Sequence, residues 1–467
     1  MPALPPKART HPPTVTHTVN ATIASNAVNA QAIVHGLRRH LQPLFGHPSD
    51  YDRLLTAIGP ARFILLGEAS HGTREFYRER IGITQRLIVE RRIDALAIEA
   101  DWPDTWRVHR YVNGQGPDSS AEQALGGFER FPAWMWRNVE MAQFIEWLRN
   151  HNLSTGSAVG IYGLDLYSLF RSMAQVLDYL DRIDPAAAQR ARARYACFDH
   201  VRENAQDYGY RASLGWGRSC EDEVIAQMRE LAQQAPAGGT NLERDEQFHA
   251  QQNARLVRNA EAYYRSMFGG RVNAWNLRDS HMLQTVQAIE RHLGGSTPTP
   301  PRLAIWAHNS HLGDASATEM GERGEWNLGQ LLRQQYGAAV FSLGMSTYSG
   351  TVTAADDWDE PARRKQVRPG LEGSWESLLH HSEAERFIVM LRGNPALTQL
   401  AQAPRLQRAI GVIYRPHTER HSHYFMTRLP QQFDALLHID HSHALEPLDR
   451  QAPWVSGEVP ETYPSGM

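Results

Sequence analysis

Two segments of the chain carry histidine and carboxylate side chains that follow runs of apolar residues. The first comes directly after Phe63 to Leu66 and contains Glu68 and His71. The second contains His308 and His311 and lies more than two hundred residues further along. A carboxylate can hold an imidazole in one tautomer, so that the ring acts as a general base on water. The two segments together therefore predict one polar site built for chemistry.

The apolar runs indicate the strands that position these groups. Continuous rather than alternating apolar residues are typical of parallel strands that are buried on both faces. The predicted strands are Arg62–Leu66, Ala95–Ile98, Ala158–Tyr162, Leu303–Ala307, Ala338–Leu343, Phe387–Leu391 and Ala409–Tyr414, with Leu436–Ile439 as a last, edge strand. Ligands of open α/β sheets bind beyond the carboxyl ends of the strands. We therefore expect the two segments to share one pocket, together with Glu99 after the second strand.

Three arginines, Arg74, Arg78 and Arg80, follow His71 on a helix that is predicted to open near Thr73. Only two of the three can share a face of that helix. A guanidinium directed into the pocket would neutralise a developing oxyanion or hold a carboxylate. The alternative is a solvated helix face on which glutamates pair with these arginines.

Several further residues near the strand ends are candidates for substrate contact. They are Asp165 and Tyr167, for which a helix N-cap is the alternative role of the aspartate, and Trp102. Arg278 and Asp279 are expected to form a structural ion pair near the pocket.

The spacing of His308 and His311 leaves the use of a metal open. Histidines at i and i+3 suit two ligands of one metal, or one catalytic and one substrate-orienting group. Zinc would need three protein ligands, which Glu68, His71 and His308 would supply. The familiar H-E-x-x-H pattern is absent, so no metal or other cofactor is predicted. No G-x-S-x-G motif occurs either, which favours water over Ser70 or a second serine as the nucleophile.

Composition limits the class of protein. The chain has 467 residues, of which 42% are hydrophobic and 21% charged, as in soluble proteins with a large core. A net charge of -3 gives no electrostatic case for nucleic acid or an anionic membrane. No apolar stretch approaches the roughly 18 residues of a membrane span. Cys197 and Cys220 are interpreted as free thiols, and a cytoplasmic location is expected.

A helical insertion is expected within a single α/β domain over residues 26–467. Residues 1–25 are rich in proline and threonine and are predicted to form a disordered tail. The predicted insertion covers about residues 170–290, where helical patterns replace strands: Ser168–Ile183, Pro185–Gln206, Cys220–Gln234, Leu242–Tyr264 and Asn276–His292. Helices beside strand ends often form the walls or lid of a pocket. The predicted fold is therefore a mostly parallel central sheet, flanked by helices, with a helical lid or pocket wall.

Three segments together resemble the erythromycin esterase family: Gly67–Phe76, Ile98–Trp102 and Trp306–His311. The resemblance extends from about residue 55 to 445, and the sequence from Tyr414 onward is similar to a large bacterial branch rather than to the resistance enzymes. Membership implies an α/β fold with helical additions. It also implies hydrolysis of an ester, in the resistance enzymes of the macrolide lactone ring, by water, a histidine base and no metal.

Position by position, the resemblance implies six catalytic residues: Glu68, His71, Arg80, Glu99, His308 and His311. His71 matches the base, and Glu68 or Glu99 orients and charges its ring. Arg80 with one of the two later histidines is expected to stabilise the oxyanion. The resulting hypothesis is a metal-independent hydrolase of a small-molecule ester or lactone. The alternatives are a metal-dependent hydrolase with the same groups, and a non-catalytic protein that binds a small molecule such as haem.

Overall fold

The computed structural model describes residues 29–449, apart from 91, 202–203, 217–218, 235–239, 269 and 296–298. The tail predicted over residues 1–25 lies outside the described residues, as do residues 27 and 28 of a helix that the apolar spacing predicts from Ala27 to Leu44. Residues 29–40 of that helix are helical, whereas Leu41–Pro43 form a strand.

Nine strands in the described part of the chain form one mixed sheet, and two short strands form another. The strands are β1 (Leu41–Pro43), β2 (Phe63–Leu66), β3 (Ala95–Asp101), β4 (Gly160–Asp165), β5 (Leu303–Trp306), β6 (Val340–Ala354), β7 (Arg363–Val367), β8 (Arg386–Met390), β9 (Arg405–Arg408), β10 (Tyr424–Thr427) and β11 (Ala435–Ser442). The order is β1-β8-β11-β6-β2-β5-β3-β4, with β7 paired to β6. From β11 to β4 every pair is parallel, which confirms the mostly parallel central sheet.

Helices surround the sheet. They are α1 (29–40), α2 (Asp52–Ile58), α3 (Arg74–Val89), α4 (Trp102–Val112), α5 (Ala121–Ala124), α6 (Val139–Thr155), α7 (Leu169–Ile183), α8 (Pro185–Tyr195), α9 (Ala205–Ser213), α10 (Glu221–Gln233), α11 (Asn241–Met267), α12 (Arg271–Gly294), α13 (Asn309–Leu312), α14 (Glu319–Glu322), α15 (Leu328–Tyr336), α16 (Trp375–His380), α17 (Pro395–Leu400), α18 (Glu419–Ser422) and α19 (Leu429–Gln432). Short 3-10 turns lie at Pro48–Tyr51, Leu125–Gly127, Ala133–Met135, Ala196–Val201, Ala315–Ala317 and Gly337–Ala339.

The apolar runs exist because both faces of the sheet are covered. Successive side chains of a strand point to opposite faces. In β2, Ile64 and Leu66 pack in one core with α3 and α6. Phe63 and Leu65 pack in another core with helices from α7 to α12. The predicted helical insertion therefore forms a layer on one face of the sheet.

Two predicted strands are wrong in their placement. Ala409–Tyr414 does not join the sheet but runs as a loop that makes isolated bridges at Ile410 and Ile413. Its apolar side chains are buried against the β2–α3 connection, where Ile410 donates its N–H to the carbonyl of Ala69. Leu436–Ile439 belongs to β11, which lies between β8 and β6 rather than at the edge. Burial alone does not distinguish these cases in a sequence.

The expectation of free thiols is also wrong. Cys197 and Cys220 form a disulfide with a Cα–Cα distance of 5.8 Å. The bond joins the 3-10 turn after α8 to the start of α10, and Cys220 is completely buried. Its backbone N–H donates to the Tyr208 hydroxyl at 3.0 Å. None of the helices in the described part of the chain has the length and apolarity that a membrane crossing requires.

The disulfide leads to a first prediction. Purified protein that is unfolded without reductant should show no reactive thiol in a colorimetric thiol assay, and two after reduction. The double variant Cys197→Ser/Cys220→Ser should unfold more easily, because closing a loop of this length contributes about 3 kcal/mol. Urea unfolding followed by circular dichroism measures the change. Two reactive thiols in the unreduced protein would contradict the disulfide.

Candidate active site

Four neighbouring strands bring the polar groups to one edge of the sheet. Their order, β2-β5-β3-β4, places the segments after β2 and β5 beside the ends of β3 and β4. Glu99 and Asp101 lie at the end of β3, where a register shift follows Ile98, and Asp101 is opposite Asp165 of β4. The sequence prediction of one shared carboxyl-end site agrees with this strand order.

Two glycines allow the loop after β2 to pass close to its neighbours. A Cβ at Gly67 would lie 2.2 Å from Oδ1 of Asn309, and one at Gly72 would lie 1.8 Å from the backbone oxygen of Thr353. Neither position accepts a side chain without displacement of a neighbour. The glycines thus fix the turn that presents His71.

Asn309 ties three strand ends together at this point. Its backbone N–H donates to the carbonyl of Glu68 at 2.8 Å. Its side-chain amide donates to the carbonyl of Met345 at 2.7 Å and accepts from the N–H of Met345 at 3.2 Å. The asparagine between the two histidines is therefore a buried connector of β2, β5 and β6.

His71 is held through one ring nitrogen. Its Nδ1 lies 3.0 Å from Oε1 of Glu68, and Oε2 of Glu68 lies 2.7 Å from the Arg80 guanidinium. Arg80 is fully buried, and its Cζ stands 4.5 Å from the ring centre of Tyr77 and 5.0 Å from that of Trp306. The structure thus assigns Glu68, rather than Glu99, to the orientation of His71. The Nε2 atom of His71 remains for a ligand.

Glu99 is held by three donors. The backbone N–H of His308 donates to Oε2 at 2.7 Å, and Arg278 and His311 approach Oε1 at 2.8 and 3.3 Å. Burial would raise the pKa of Glu99, but His311, His71 and Arg278 outweigh it and lower the pKa well below its usual range. Glu99 is therefore a fixed anion beside the base.

Arg278 of α12 links this anion to the next strand. Its Nε and one terminal nitrogen donate to the two oxygens of Asp165 at 3.0 and 2.7 Å. Burial alone would lower the pKa of Arg278, but Asp165, Tyr167 and Glu99 raise it. The expected Arg278–Asp279 ion pair is replaced by this arrangement, because adjacent residues on a helix do not face each other.

His308 is a neutral ring with a defined tautomer. Its Nδ1 accepts the backbone N–H of Ser310 at 3.2 Å and lies 2.8 Å from the Ser310 hydroxyl. Burial, reinforced by the neighbouring His71, lowers the pKa of His308 to about 3. The proton of the neutral ring is therefore on Nε2. This buried atom has no hydrogen-bond partner among the described residues, and the His308 ring centre is 5.0 Å from that of His71.

His311 differs from His308 in that its surroundings favour the protonated ring. Its Nδ1 lies 3.0 Å from both carboxylate oxygens of Asp279, and its ring stacks on Trp275 at 4.7 Å. Burial would lower the pKa of His311, but Asp279 and Glu99 outweigh it and raise the pKa to about 9. An imidazolium at neutral pH cannot accept a proton. Of the two later histidines, His308 is thus the neutral one.

A cavity lies above these groups, with a volume of about 550 Å³ when its open mouth is included. The lining residues that carry charge or polarity are His71, Glu99, Asp101, Asp104, Arg130, Asp165, Tyr167 and Arg278, and the apolar ones include Phe128, Phe131, Pro132, Met135, Trp136 and Val412. Residues 128–136 thus provide much of the wall. Among the described residues of the predicted insertion, Arg278 lines the cavity, so the helical layer contributes to the cavity wall.

Six of the predicted site residues are not among those that line the cavity: Glu68, Arg74, Arg80, Trp102, His308 and His311. Arg80 and His311 stand behind Glu68 and Glu99 as their counter-ions. Arg74 lies 3.5 Å from Glu75 and is one-third exposed. Trp102 packs in the core beneath the helical layer and donates from its ring nitrogen to His249 at 2.9 Å. Its position at the first turn of α4 turns the indole away from the strand ends.

The sequence interpretation missed several lining residues. Arg278 was expected to be structural, and Asp101, Arg130 and Phe131 were not considered. For Trp134–Arg137, which follows Pro132, the sequence allows an apolar wall for a bulky substrate but favours core packing. Met135 and Trp136 of this segment line the cavity. The sequence does contain a signal for Asp101. Side chains of a strand point alternately to its two faces, so Asp101, two residues after Glu99, is expected on the same face as Glu99.

Part of the predicted metal-ligand set is engaged in internal contacts. Glu68 contacts His71 and Arg80 through its two oxygens, and Nδ1 of His308 accepts from Ser310. Across residues 29–449, gaps excepted, no group of three or more histidine, cysteine, aspartate or glutamate side chains has an arrangement that suits a metal ion.

With this fold and site, the chain belongs to the erythromycin esterase family. The family model described as erythromycin esterase matches residues 88–442, which is most of the chain. The matched range contains Glu99, His308 and His311, and it begins after Glu68 and His71. The chain is 21% identical over 437 residues to an erythromycin esterase type II of Escherichia coli, with 87% of this chain and 97% of that protein covered.

Solved structures support the same fold. A Bacillus cereus protein matches with a TM-score of 0.73 and 19% identity over 90% of this chain and 99% of its own. An erythromycin esterase mutant in an open conformation matches with a TM-score of 0.64 and 16% identity, over 87% and 97% of the two chains. At such identities the likeness concerns the fold alone.

The charge state of His311 leads to a second prediction. Its pKa is raised in the folded protein from 6.5 to about 9. The resulting stabilisation, on the order of 3 kcal/mol, is fully present below about pH 6.5 and is lost as the pH rises through 9. Asp279→Asn should remove much of it, so that the variant is less stable at pH 6 and changes little up to pH 9. Urea unfolding midpoints between pH 6 and pH 9 measure this.

A matched control is Asp245→Asn, which removes a histidine–aspartate pair with His292 outside the cavity lining. It should keep the pH dependence of the parent protein. An Asp279→Asn variant with the same pH dependence as the parent would show that His311 is not charged in the folded state.

Proposed function

We propose that the protein is a metal-independent hydrolase of a carboxylic ester or lactone, in which His71 activates water. The observation that carries the proposal is the direction of His71: its Nδ1 is held by Glu68, and the residue lines the cavity with Nε2 uncommitted. Family membership supports hydrolase chemistry, because the Escherichia coli relative is named an erythromycin esterase.

The first step is the removal of a proton from water by Nε2 of His71. The hydroxide attacks the carbonyl carbon of the ester, and the carbonyl oxygen becomes an oxyanion. The imidazolium that forms is stabilised by the carboxylates of Glu68 and Glu99. Arg80 and His311 are the counter-ions of those carboxylates in the resting state.

His308 is the donor proposed for the oxyanion. Its Nε2–H is buried and has no partner in the described part of the chain, and its ring adjoins His71. A preorganised donor in a water-poor site stabilises developing charge without reorganisation. Arg80 is not proposed for this role, because its buried guanidinium pairs with Glu68 and the residue does not line the cavity. The tetrahedral intermediate then expels the alkoxide, which takes its proton from the His71 imidazolium.

Water is favoured as the nucleophile because the nearby serines are occupied. The Ser70 hydroxyl hydrogen-bonds with that of Thr73, and the Ser310 hydroxyl lies on Nδ1 of His308. Neither serine is among the cavity-lining residues.

Substrate contacts are proposed for Asp165 and Tyr167, both of which line the cavity. The macrolide ring, a part in antibiotic resistance and a cytoplasmic location remain predictions. Screening of the purified protein against macrolides and simple esters by mass spectrometry, for the gain of one water, tests the reaction class.

Replacement of the base gives the third prediction. His71→Ala should lower kcat by about 10²–10⁴-fold, the usual contribution of a positioned general base. KM should change far less, because the base acts on water and not on the ester. Ser70→Ala is the matched control and should retain most of the activity. A covalent acyl group trapped on Ser70, or near-normal turnover by His71→Ala, would contradict the mechanism.

Metal removal gives the fourth prediction. Dialysis against EDTA should leave the turnover of any ester found in the screen unchanged, since both oxygens of Glu68 contact His71 and Arg80. Elemental analysis of the same sample identifies bound metal. Stoichiometric zinc or manganese, with activity lost on its removal and restored on its return, would establish the metal-dependent alternative.

A further inference from the structure

Asp101 stands at the N-terminus of α4 but does not cap that helix. It is the N-cap residue of α4, where an aspartate normally accepts a backbone N–H of the first helical turn. Its side chain makes no capping hydrogen bond. Instead the residue lines the cavity and is more than nine-tenths buried. The residue thus belongs to the cavity wall, and its carboxylate does not cap the helix.

Only one oxygen of this carboxylate is used. Arg130 approaches Oδ2 through Nε at 3.2 Å and through a terminal nitrogen at 2.8 Å. Oδ1 is buried and has no hydrogen-bond partner among the described residues. Hydrogen-bond acceptors buried in this way are rare in folded proteins, and each needs an explanation.

The Arg107–Asp118 pair, which lies outside the cavity lining, provides a comparison for the contact between Arg130 and Asp101. The same two kinds of guanidinium nitrogen from Arg107 donate to both oxygens of Asp118, at 2.9 and 2.6 Å. The Asp118 side chain has the same exposed fraction as that of Asp101, 7%. A buried aspartate with an arginine partner can therefore use both of its oxygens, so burial and the contact with Arg130 do not explain why Oδ1 of Asp101 has no partner.

The surroundings of Asp101 define what approaches it. The cavity wall beside it is apolar and aromatic, with Phe128, Phe131 and Trp136. Asp104, a second carboxylate of the cavity lining, is paired with Arg171 at 2.6 Å. An apolar chain or ring that lies along this wall would carry a polar group to Asp101.

We propose that Oδ1 of Asp101 binds an O–H or N–H group of the substrate, and that the substrates are compact esters with a hydroxyl or protonated amine on an apolar chain or ring. The statement that the substrates are esters rests on the proposed function, whereas the binding of an O–H or N–H group by Asp101 does not. A site built to hydrogen-bond a substrate group strongly rejects the analogue that lacks the group, because the buried acceptor then stays unpaired.

The kinetic test uses three 4-nitrophenyl esters of equal chain length: 6-aminohexanoate, 6-hydroxyhexanoate and heptanoate. The parent protein should hydrolyse at least one of the first two with a kcat/KM about tenfold or more above that of heptanoate. Asp101→Ala should remove the preference. Asp101→Asn keeps an acceptor without charge, so it should lose the preference for the ammonium ester and keep that for the hydroxyl ester. The two arms thus identify which donor is bound.

Asp118→Ala is the matched control, because it also removes a carboxylate from an arginine but lies outside the cavity lining. Its preference among the three esters should equal that of the parent. Circular dichroism and thermal unfolding verify that each variant is folded. Heptanoate hydrolysed as well as the other two, or an unchanged preference in Asp101→Ala, would overturn the inference while leaving the esterase function intact.

Calorimetric binding of 4-phenylbutan-1-amine and 4-phenylbutan-1-ol separates binding from turnover. At least one of them should bind the parent and Asp118→Ala alike, and Asp101→Ala about tenfold or more weakly. If no ester is hydrolysed but this binding pattern holds, the proposed function fails and the inference stands. Equal binding to Asp101→Ala, or no binding of either compound to the parent, would overturn the inference.

Discussion

The guanidinium of Arg278 is buried between the carboxylates of Asp165 and Glu99, and the arrangement of the site depends on this contact. It joins a helix of the inserted layer to the ends of β4 and β3, and through Glu99 to the backbone of His308. Removal of one partner from a buried ion pair costs several kcal/mol, because the remaining charge has no solvent to stabilise it. The positions of the strand ends and the charges of the site are therefore maintained together.

Three histidines of one site differ because their surroundings differ. His71 has a carboxylate on one nitrogen and the cavity at the other. His308 is surrounded by backbone and a hydroxyl and is neutral, whereas His311 lies between two carboxylates and is a cation. The environment rather than the residue type therefore sets the charge of each ring.

The sequence indicated the parallel strands and the clustering of Glu68, His71 and His308, because apolar runs and strand-end polar residues are local patterns. It did not indicate which carboxylate holds which histidine, since Glu68 and Glu99 are equivalent until the strand order and the register are known. Arg278 was missed for the same reason: it lies mid-helix, and only the packing of α12 against β4 brings it to the site. The Cys197–Cys220 bond likewise depends on how separate helices fold back.

The position of β5 in the sheet has a consequence for the synthesis of the protein. β5 inserts between β2 and β3, yet the ribosome makes it more than two hundred residues after β2. Until then β3 can pair with β4, whereas β2 has neither of its neighbours, because β6 is made later still. Parallel pairings of such long range form slowly and expose unpaired strands meanwhile. The nascent chain therefore carries an incomplete apolar sheet for most of its translation, and folding in the cell should depend on chaperones that cover this sheet.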